Sequence, residues 1–242
     1  MPRLEPKDRL IVALDVESLD RAEALLAELQ GVVTTFKVGA RLFTAAGPQA
    51  VELVHKLGDQ VFLDLKYHDI PTTVAGAIRE ATRQGIAMLT VHASGGSSML
   101  RAAAEAAAET AGQLKVARPL VLAVTVLTSL DRGVLQRELN VPLSVEGHVL
   151  QLAQLARAVG LDGSVVAPGE VRMVRNGLGP GWVIVVPGVR PAGSDAHDQA
   201  RMATPEATIR ARADYLVVGR PITEAPDPRK AALAIVEAIA RG

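Results

Sequence analysis

Short apolar runs rich in β-branched residues alternate along the chain with longer segments rich in Ala and Leu. Apolar residues that recur every third or fourth position predict helices, whereas short β-branched runs bounded by turn residues predict strands. We predict strands over residues 10–16, 35–39, 61–66, 88–93, 120–127, 163–167, 182–187 and 215–219. The clearest helices are predicted over residues 19–29, 97–110 and 228–241. The pattern therefore consists of eight successive units of strand followed by helix.

This alternation predicts an α/β protein that folds as a (β/α)8 TIM barrel. The predicted strands carry apolar residues at consecutive positions, as strands buried between helices do. No G-x-G-x-x-G fingerprint follows the first strand, which disfavours an open dinucleotide-binding sheet. The 242 residues suit one barrel of about 250 residues or two domains of roughly 100 to 150 residues each. Because no linker or shift in composition divides the chain, we expect a single domain over residues 1–242.

Composition and charge exclude several classes of function. The 26 basic and 26 acidic side chains balance, so no net field favours nucleic acid or an anionic membrane. The absence of cysteine excludes disulfides, thiolate metal sites and a cysteine nucleophile. His55, His68, His148 and His197 lack the spacing of zinc ligands. Neither a signal peptide nor a run of about 18 apolar residues is present. We therefore expect a cytoplasmic protein without a bound metal.

Charged residues occur at the predicted strand ends, where barrels of this class build their active sites. Asp64 and Lys66 have the same side-chain parity on the third strand, so both should point into the barrel mouth. Asp15 and Lys37 end the first and second strands, so the four charges can form one network. The other polar residues at or just after strand ends are Asp69, His92, Thr128 and Arg220.

This charged network is either a salt-bridge cluster that closes the barrel or an active site. Burial of each charge costs about several kcal/mol before pairing, and apolar residues would close a barrel at lower cost, so the active site is favoured. At an effective dielectric constant near 20, a carboxylate about 4 Å from an ammonium contributes roughly 4 kcal/mol, and two carboxylates favour the charged lysine. Lys66 is therefore predicted to donate a proton rather than to form a Schiff base.

A second group of residues follows the seventh and eighth strands, where barrels of this class commonly bind phosphate. Arg190 precedes a polar loop over residues 192–199, and the eighth strand ends at Gly219 and Arg220. Glycine allows close approach of the backbone to an anion, and arginine offers two parallel N–H donors. A solvated loop arginine is the alternative. His92 more often makes a hydrogen bond at a strand end than reacts, and Thr128 can cap a turn or bind a substrate amide.

The run Asp64-Leu65-Lys66-Tyr67-His68-Asp69-Ile70-Pro71-Thr72-Thr73-Val74 closely resembles the D-x-K-x-x-D-I-P-x-T signature of the orotidine 5'-phosphate decarboxylase family. Segments that contain Asp15, Lys37, His92, Thr128, Arg190, Gln199 and Arg220 resemble family segments in the same order. The resemblance therefore covers essentially the whole chain.

The resemblance implies a homodimer that converts orotidine 5'-phosphate to uridine 5'-phosphate and carbon dioxide without a cofactor, the last step of UMP synthesis. Lys66 would protonate the pyrimidine carbon, Asp64 would lie against the departing carboxylate, and Lys37 and Asp69 would complete the charged array. The implied substrate-binding residues are Asp15 and Lys37 for the ribose, Thr128 for the pyrimidine, and Arg190, Gln199, Gly219 and Arg220 for the phosphate, with Asp69, Ile70 and Thr73 contributed by the partner subunit.

Two other functions compete with this prediction. Magnesium-dependent 3-keto-L-gulonate 6-phosphate decarboxylases and hexulose phosphate synthases share D-x-K-x-x-D, but their second strand resembles E-V-G with a metal-binding carboxylate. Lys37 stands at that position here and cannot bind magnesium when protonated. A barrel that binds a nucleotide without catalysis is the second alternative, and the presence of both Lys66 and Asp69 disfavours it.

Overall fold

The computed structural model describes residues 4–190 and 203–242 and contains a closed barrel of eight parallel strands. The strands pair in chain order, and the eighth pairs with the first through Val12 and Val218. They are β1 (Leu10–Ala13), β2 (Thr35–Gly39), β3 (Gln60–Tyr67), β4 (Met88–His92), β5 (Leu120–Val124), β6 (Gly163–Val165), β7 (Val183–Pro187) and β8 (Tyr215–Val218). The predicted (β/α)8 fold is confirmed.

Helices follow the strands and cover the barrel. They are α1 (Leu19–Leu29), α2 (Ala40–Ala46), α3 (Gln49–Lys56), α4 (Pro71–Arg83), α5 (Gly96–Leu114), α6 (Arg132–Arg137), α7 (Val145–Ala158), α8 (Val171–Leu178), α9 (Pro205–Arg210), α10 (Arg220–Thr223) and α11 (Pro228–Arg241). The predicted bounds of α1 and α11 are correct. α5 continues four residues beyond the predicted end at 110, until Lys115 adopts a left-handed conformation. None of the helices in the described ranges has the length and apolar character needed to cross a membrane.

Side-chain parity divides the core into two layers. On β1, β7 and β8 one set of alternate residues faces the barrel interior, namely Ile11, Ala13, Val183, Val185, Tyr215 and Val217. The intervening residues pack against the surrounding helices, namely Leu10, Val12, Ile184, Val186, Leu216 and Val218. Both faces of these three strands are therefore buried, which explains why they appear in the sequence as continuous apolar runs.

Three predicted strands are longer than the observed ones by two or three residues. The predicted strands over 10–16, 120–127 and 163–167 end in the structure at Ala13, Val124 and Val165. Val16, Val126 and Val166 are nevertheless buried, because the chain leaves the sheet while its side chains still cover the core. An apolar run therefore predicts which residues are buried, but it overestimates how many of them pair with a neighbouring strand. Thr128 consequently lies in the turn after β5 and not at its last residue.

Gly163 allows β6 to fit between its neighbours. It pairs with Leu122 of β5 and Val183 of β7, and a Cβ atom added to it would lie 2.3 Å from the Val183 carbonyl oxygen. We expect Gly163→Ala to lower the free energy of unfolding by about 1–3 kcal/mol, because the added methyl group overpacks the barrel. Urea denaturation measures this difference.

Gly112 is the matched control for this prediction. It is exposed on α5, and an added Cβ atom would meet nothing within 4 Å. Gly112→Ala should therefore be neutral or stabilise the protein by up to about 1 kcal/mol. Equal stabilities for the two variants would contradict the steric account of Gly163.

Candidate active site

A chain of alternating charges connects the ends of the first three strands. Lys37 Nζ donates to Asp15 Oδ1 at 2.9 Å and lies 3.6 Å from Asp64 Oδ2. Lys66 Nζ lies 3.0 Å from each Asp64 carboxylate oxygen. The side chains of Lys37 and Asp64 are nearly buried, whereas Asp15 and Lys66 are partly open to solvent. The structure thus brings together the four charged residues that the sequence places at the strand ends.

The register of β2 and β3 creates the space for these side chains. Gly39 pairs with Asp64, so both residues face the same side of the barrel wall. A Cβ atom on Gly39 would lie 2.8 Å from Asp15 Oδ1 and 2.8 Å from Lys37 Nζ. A side chain at this position would therefore displace the ion pair. The importance of Gly39 for the site was not foreseen from the sequence.

The backbone of β3 departs from regular strand geometry at the catalytic candidates. Its pairing with β4 shifts register between Leu63 and Tyr67, and Lys66 has a φ of 50°. A bulge of this kind redirects side chains, and the left-handed conformation is unfavourable for a residue other than glycine. Lys66 and Asp64 therefore converge as parity predicted, but through an irregular strand.

Thr90 is a buried residue of the site that was not predicted from the sequence. Its Oγ1 donates to Asp64 Oδ1 at 3.0 Å and accepts from the Lys66 backbone N–H at 2.9 Å. The signal was available in the sequence, because Thr90 has the same parity as the strand-end residue His92 on β4. A lone threonine within an apolar strand was too common a feature to be singled out.

Opposing effects act on the Asp64 carboxyl group. Burial raises its pKa, but the ammonium groups of Lys37 and Lys66 and hydrogen bonds from Lys66 and Thr90 lower it, and the net pKa lies below the ordinary value. The cations therefore more than offset the loss of hydration, and Asp64 is an anion at neutral pH. An anionic carboxylate held between two lysines creates a strong local electric field, although the net charge of the group is small.

Two neighbouring cavities open onto this network. The larger, of about 620 Å3, is lined by Asp15, Lys37, Asp64, Arg190, Gly219, Arg220 and other residues at the ends of β1, β7 and β8. The smaller, of about 170 Å3, is lined by Lys37, Asp64, Lys66, Thr128 and apolar side chains from β3, β5, β6 and β8. Both cavities share Lys37 and Asp64, so the charged network stands where they meet. A ligand with a polar end and a flat, less polar end fits this division.

The loop after β3 contributes no lining residue to either cavity. Asp69 is exposed, and its carboxylate accepts a hydrogen bond of 2.6 Å from the backbone N–H of Ile70. Ile70 is 64% exposed, which is unusual for a large apolar side chain, and Thr73 on α4 is also exposed. Among the described residues, no ion pair or side-chain hydrogen bond joins Asp69, Ile70 or Thr73 to the charged network of the same chain.

His92 and His68 stack beside the site with ring centroids 5.3 Å apart. Burial, together with the nearby His68 and Lys66, lowers the pKa of His92. Its Nδ1 lies 2.7 Å from Ser94 Oγ. These contacts agree with the interpretation of His92 as a strand-end hydrogen-bonding residue.

The predicted phosphate residues lie at the rim of the larger cavity. Arg190 is buried and Arg220 is half-buried, and both line this cavity together with Gly219. Gln199 falls outside the described residues. Arg41, at the start of α2, also lines the cavity and donates to the Asp15 carbonyl oxygen at 3.1 Å. No pattern in the sequence distinguished Arg41 from an ordinary exposed helix residue.

Comparison with known proteins identifies the family to which this site belongs. Residues 8–235 match the model of the orotidine 5'-phosphate decarboxylase / HUMPS family. The chain belongs to this family. It is 54% identical to the orotidine 5'-phosphate decarboxylase of Moorella thermoacetica over 99% of this chain and 95% of that protein. It is 53% identical to the enzyme of the same name from Halorhodospira halophila, over 96% of each. The predicted family is confirmed.

A solved structure agrees with this assignment. The crystal structure of orotidine 5'-phosphate decarboxylase from Lactobacillus acidophilus superimposes with a TM-score of 0.85 at 36% sequence identity. The match covers 96% of this chain and 99% of that one. Family membership and barrel architecture are thus supported by sequence and structure independently.

The residues of the site fit a magnesium ion poorly. Within residues 4–190 and 203–242, no group of three or more His, Asp or Glu side chains is arranged to hold a metal. Both Asp64 oxygens face Lys66, and Lys37 approaches from the other side. A divalent cation would have to displace ammonium groups from the carboxylate, whereas magnesium prefers several oxygen ligands.

The lowered pKa of Asp64 predicts a pH dependence of stability. Because its folded pKa is below its ordinary value of 3.8, the charged carboxylate stabilises the fold above pH 3.8, and this contribution is lost as the pH falls towards the folded pKa. In Asp64→Asn the free energy of unfolding should therefore fall less steeply over this acid range than in the wild type. Urea denaturation at a series of pH values measures the slopes.

Asp20→Asn is the control for this measurement, because Asp20 is exposed in the first turn of α1. Its pH profile should follow that of the wild type. Parallel profiles for Asp64→Asn and wild type would contradict the assigned role of the two lysines.

Proposed function

We propose that this protein decarboxylates orotidine 5'-phosphate to uridine 5'-phosphate and carbon dioxide, the last step of UMP synthesis. The observation that carries the proposal is the Asp15–Lys37–Asp64–Lys66 array where the two cavities meet. The named relatives support it, because two of them at 53–54% identity carry the same activity in their names.

The two cavities suit the two halves of this substrate. The pyrimidine occupies the smaller cavity, with Thr128 at its edge and Lys66 beside the carbon that loses carbon dioxide. The ribose hydroxyls bind Asp15 and Lys37. The phosphate binds Arg190, Gln199, Gly219 and Arg220, at the end of the barrel where phosphate sites are common in this fold.

The chemistry explains the need for a charged site. Loss of carbon dioxide breaks a C–C bond and leaves an electron pair in an sp2 orbital of the pyrimidine ring, where no adjacent carbonyl group delocalises it. A fixed ammonium at this carbon stabilises the developing anion, and Lys66 then transfers a proton as the new C–H bond forms. The neutral amine recovers its proton from solvent. Asp64 holds Lys66 in place and faces the departing carboxylate.

The arrangement requires no electron-sink cofactor and no metal. Positive charge at the reacting carbon comes from Lys66, and the ammonium of Lys37 occupies the position at which the magnesium-dependent branch carries a carboxylate. Binding of the distant phosphate contributes orientation, so that remote binding energy increases the chemical rate. The same preorganised charges serve each turnover without a change of redox state.

The functional unit in this proposal is a homodimer of single-domain barrels. Asp69, Ile70 and Thr73 are exposed and line neither cavity of their own chain, so they are available to a second subunit. Ile70 in particular leaves a large apolar surface open to solvent. In the dimer Asp69 of each subunit completes the charged array of the other. The cytoplasmic location and the lack of nucleic-acid binding stay predictions from the sequence.

The first test is the decay of orotidine 5'-phosphate absorbance in metal-free buffer with EDTA. The wild type should consume the substrate rapidly, and Lys66→Ala should reduce kcat by roughly 10²- to 10⁴-fold because the proton donor is lost. Lys56→Ala, an exposed position at the end of α3, should retain wild-type activity. An inert wild type that acts on a sugar phosphate once magnesium is added would overturn the proposal.

Mixing two inactive variants tests the shared site. Lys66→Ala and Asp69→Ala should each be nearly inactive alone. Random exchange of subunits makes about half of the dimers hybrid, each with one intact site, so the mixture should recover about one quarter of wild-type activity. Activity is measured after co-refolding of equal amounts. A mixture no more active than its components would show that Asp69 acts within its own subunit or not at all.

A further inference from the structure

Thr90 stands opposite the β3 bulge that brings Asp64 and Lys66 together, and its side chain bonds to the bulge. Leu63 pairs with Leu89 and Tyr67 pairs with Val91, so residues 64–66 of β3 stand opposite the single residue Thr90 of β4. The backbone of β4 is therefore too short to satisfy every group of the bulge. The Lys66 N–H is satisfied by the Thr90 side chain instead, at 2.9 Å.

The direction of these hydrogen bonds is fixed by chemistry. A backbone N–H can only donate, so Thr90 Oγ1 accepts from Lys66, and the single hydroxyl proton is free to reach Asp64 Oδ1 at 3.0 Å. Thr90 has no exposed surface, so water does not compete for either bond. One hydroxyl thus links the backbone of the proton donor to the carboxylate that holds its ammonium.

We propose that Thr90 is a positioning residue, whose hydroxyl group fixes the relative placement of the Lys66 backbone and the Asp64 carboxylate for proton transfer. The inference rests on the proposed decarboxylase function and adds a residue to it. Lys66 needs such support, because its φ of 50° is unfavourable for a side-chain-bearing residue and persists only when neighbouring contacts hold it. Thr90 touches no substrate atom in this account and acts through its two partners.

Thr90→Val is the most direct variant, because valine keeps the branched shape and removes only the hydrogen-bonding group. We expect kcat for orotidine 5'-phosphate to fall by about 10- to 100-fold, as for a misplacement of a reacting group by roughly 1 Å. The dissociation constant of uridine 5'-phosphate should stay within about threefold of wild type, since the ribose and phosphate contacts are unchanged. Thr90→Ser restores both bonds and should recover most of kcat.

Thr82→Val is the control for the loss of a buried hydroxyl. Thr82 is equally buried, and its Oγ1 donates to the Ile78 carbonyl oxygen within α4, away from the charged network. This variant should keep wild-type kcat. Thermal unfolding midpoints of both valine variants separate a general loss of stability from a loss of positioning.

The pH profile of kcat distinguishes positioning from a purely structural role. Asp64 is faced by Lys37 on β2, Lys66 on its own strand and Thr90 on β4, with Asp15 behind Lys37 and His92 near Lys66. Thr90→Val removes one hydrogen bond to Asp64 and leaves every titratable member of this set in place. Loss of that hydrogen bond raises the Asp64 pKa, so the acid limb of the profile should move to higher pH, while Thr82→Val leaves it unchanged.

The outcomes separate this inference from the proposed function. An inert wild type overturns the proposed function itself, and the inference with it. If the wild type is active, and Thr90→Val has both a wild-type kcat and an unshifted acid limb, the inference alone is overturned. If Thr90→Val does not fold, Thr90→Ser and Thr90→Cys are compared, since they differ by one atom and the thiol is a weak donor and acceptor. A Cys variant as active as Ser then overturns the proposal, and a selective loss of kcat in Cys supports it.

Discussion

Charge balance in a poorly hydrated barrel mouth is the constraint on which the rest of this structure depends. Asp64 is held between two ammonium groups, and its burial would be unfavourable without both. Lys37 is in turn paired with Asp15, so the positive and negative charges alternate from the first strand to the third. The loss of Lys37 or Asp64 would remove one partner from the other, whose side chain is nearly buried, so these two inner members depend on each other most.

Several features of the fold exist to accommodate this array. Gly39 leaves the volume that the Asp15–Lys37 pair occupies, and the β3 bulge turns Lys66 towards Asp64. The left-handed backbone at Lys66 costs about 1–3 kcal/mol, which the surrounding barrel offsets. Thr90 satisfies the N–H that the bulge leaves without a ladder partner. Packing between the strands and the helices holds these positions rigid, because most strand residues belong to the buried core on one face or the other.

Such rigidity suits the proposed decarboxylation without a cofactor. Dipoles and charges that are already oriented stabilise a developing carbanion without reorganisation during the reaction. In the proposed function, Lys37 also distinguishes this site from that of the magnesium-dependent enzymes, as the sequence resemblance implies. A lysine there supplies a positive charge to the site directly, whereas a carboxylate would recruit the charge as a metal ion. In the proposed function, the two joined cavities hold the phosphate and the pyrimidine separately, so the phosphate lies far from the reacting carbon.

The sequence by itself determined the barrel, the identity of the charged residues and their common location, because periodicity and parity are local properties of the chain. Asp15, Lys37, Asp64 and Lys66 were all identified as strand-end residues, and their contacts follow from parallel pairing in chain order. Tertiary structure alone decided the role of Gly39, the hydrogen bonds that distinguish Thr90 from other strand threonines, the strained backbone of Lys66 and the true ends of β1, β5 and β6. These depend on which atoms of neighbouring strands come within 3 Å of each other, and register shifts at that scale leave no periodic trace in a sequence.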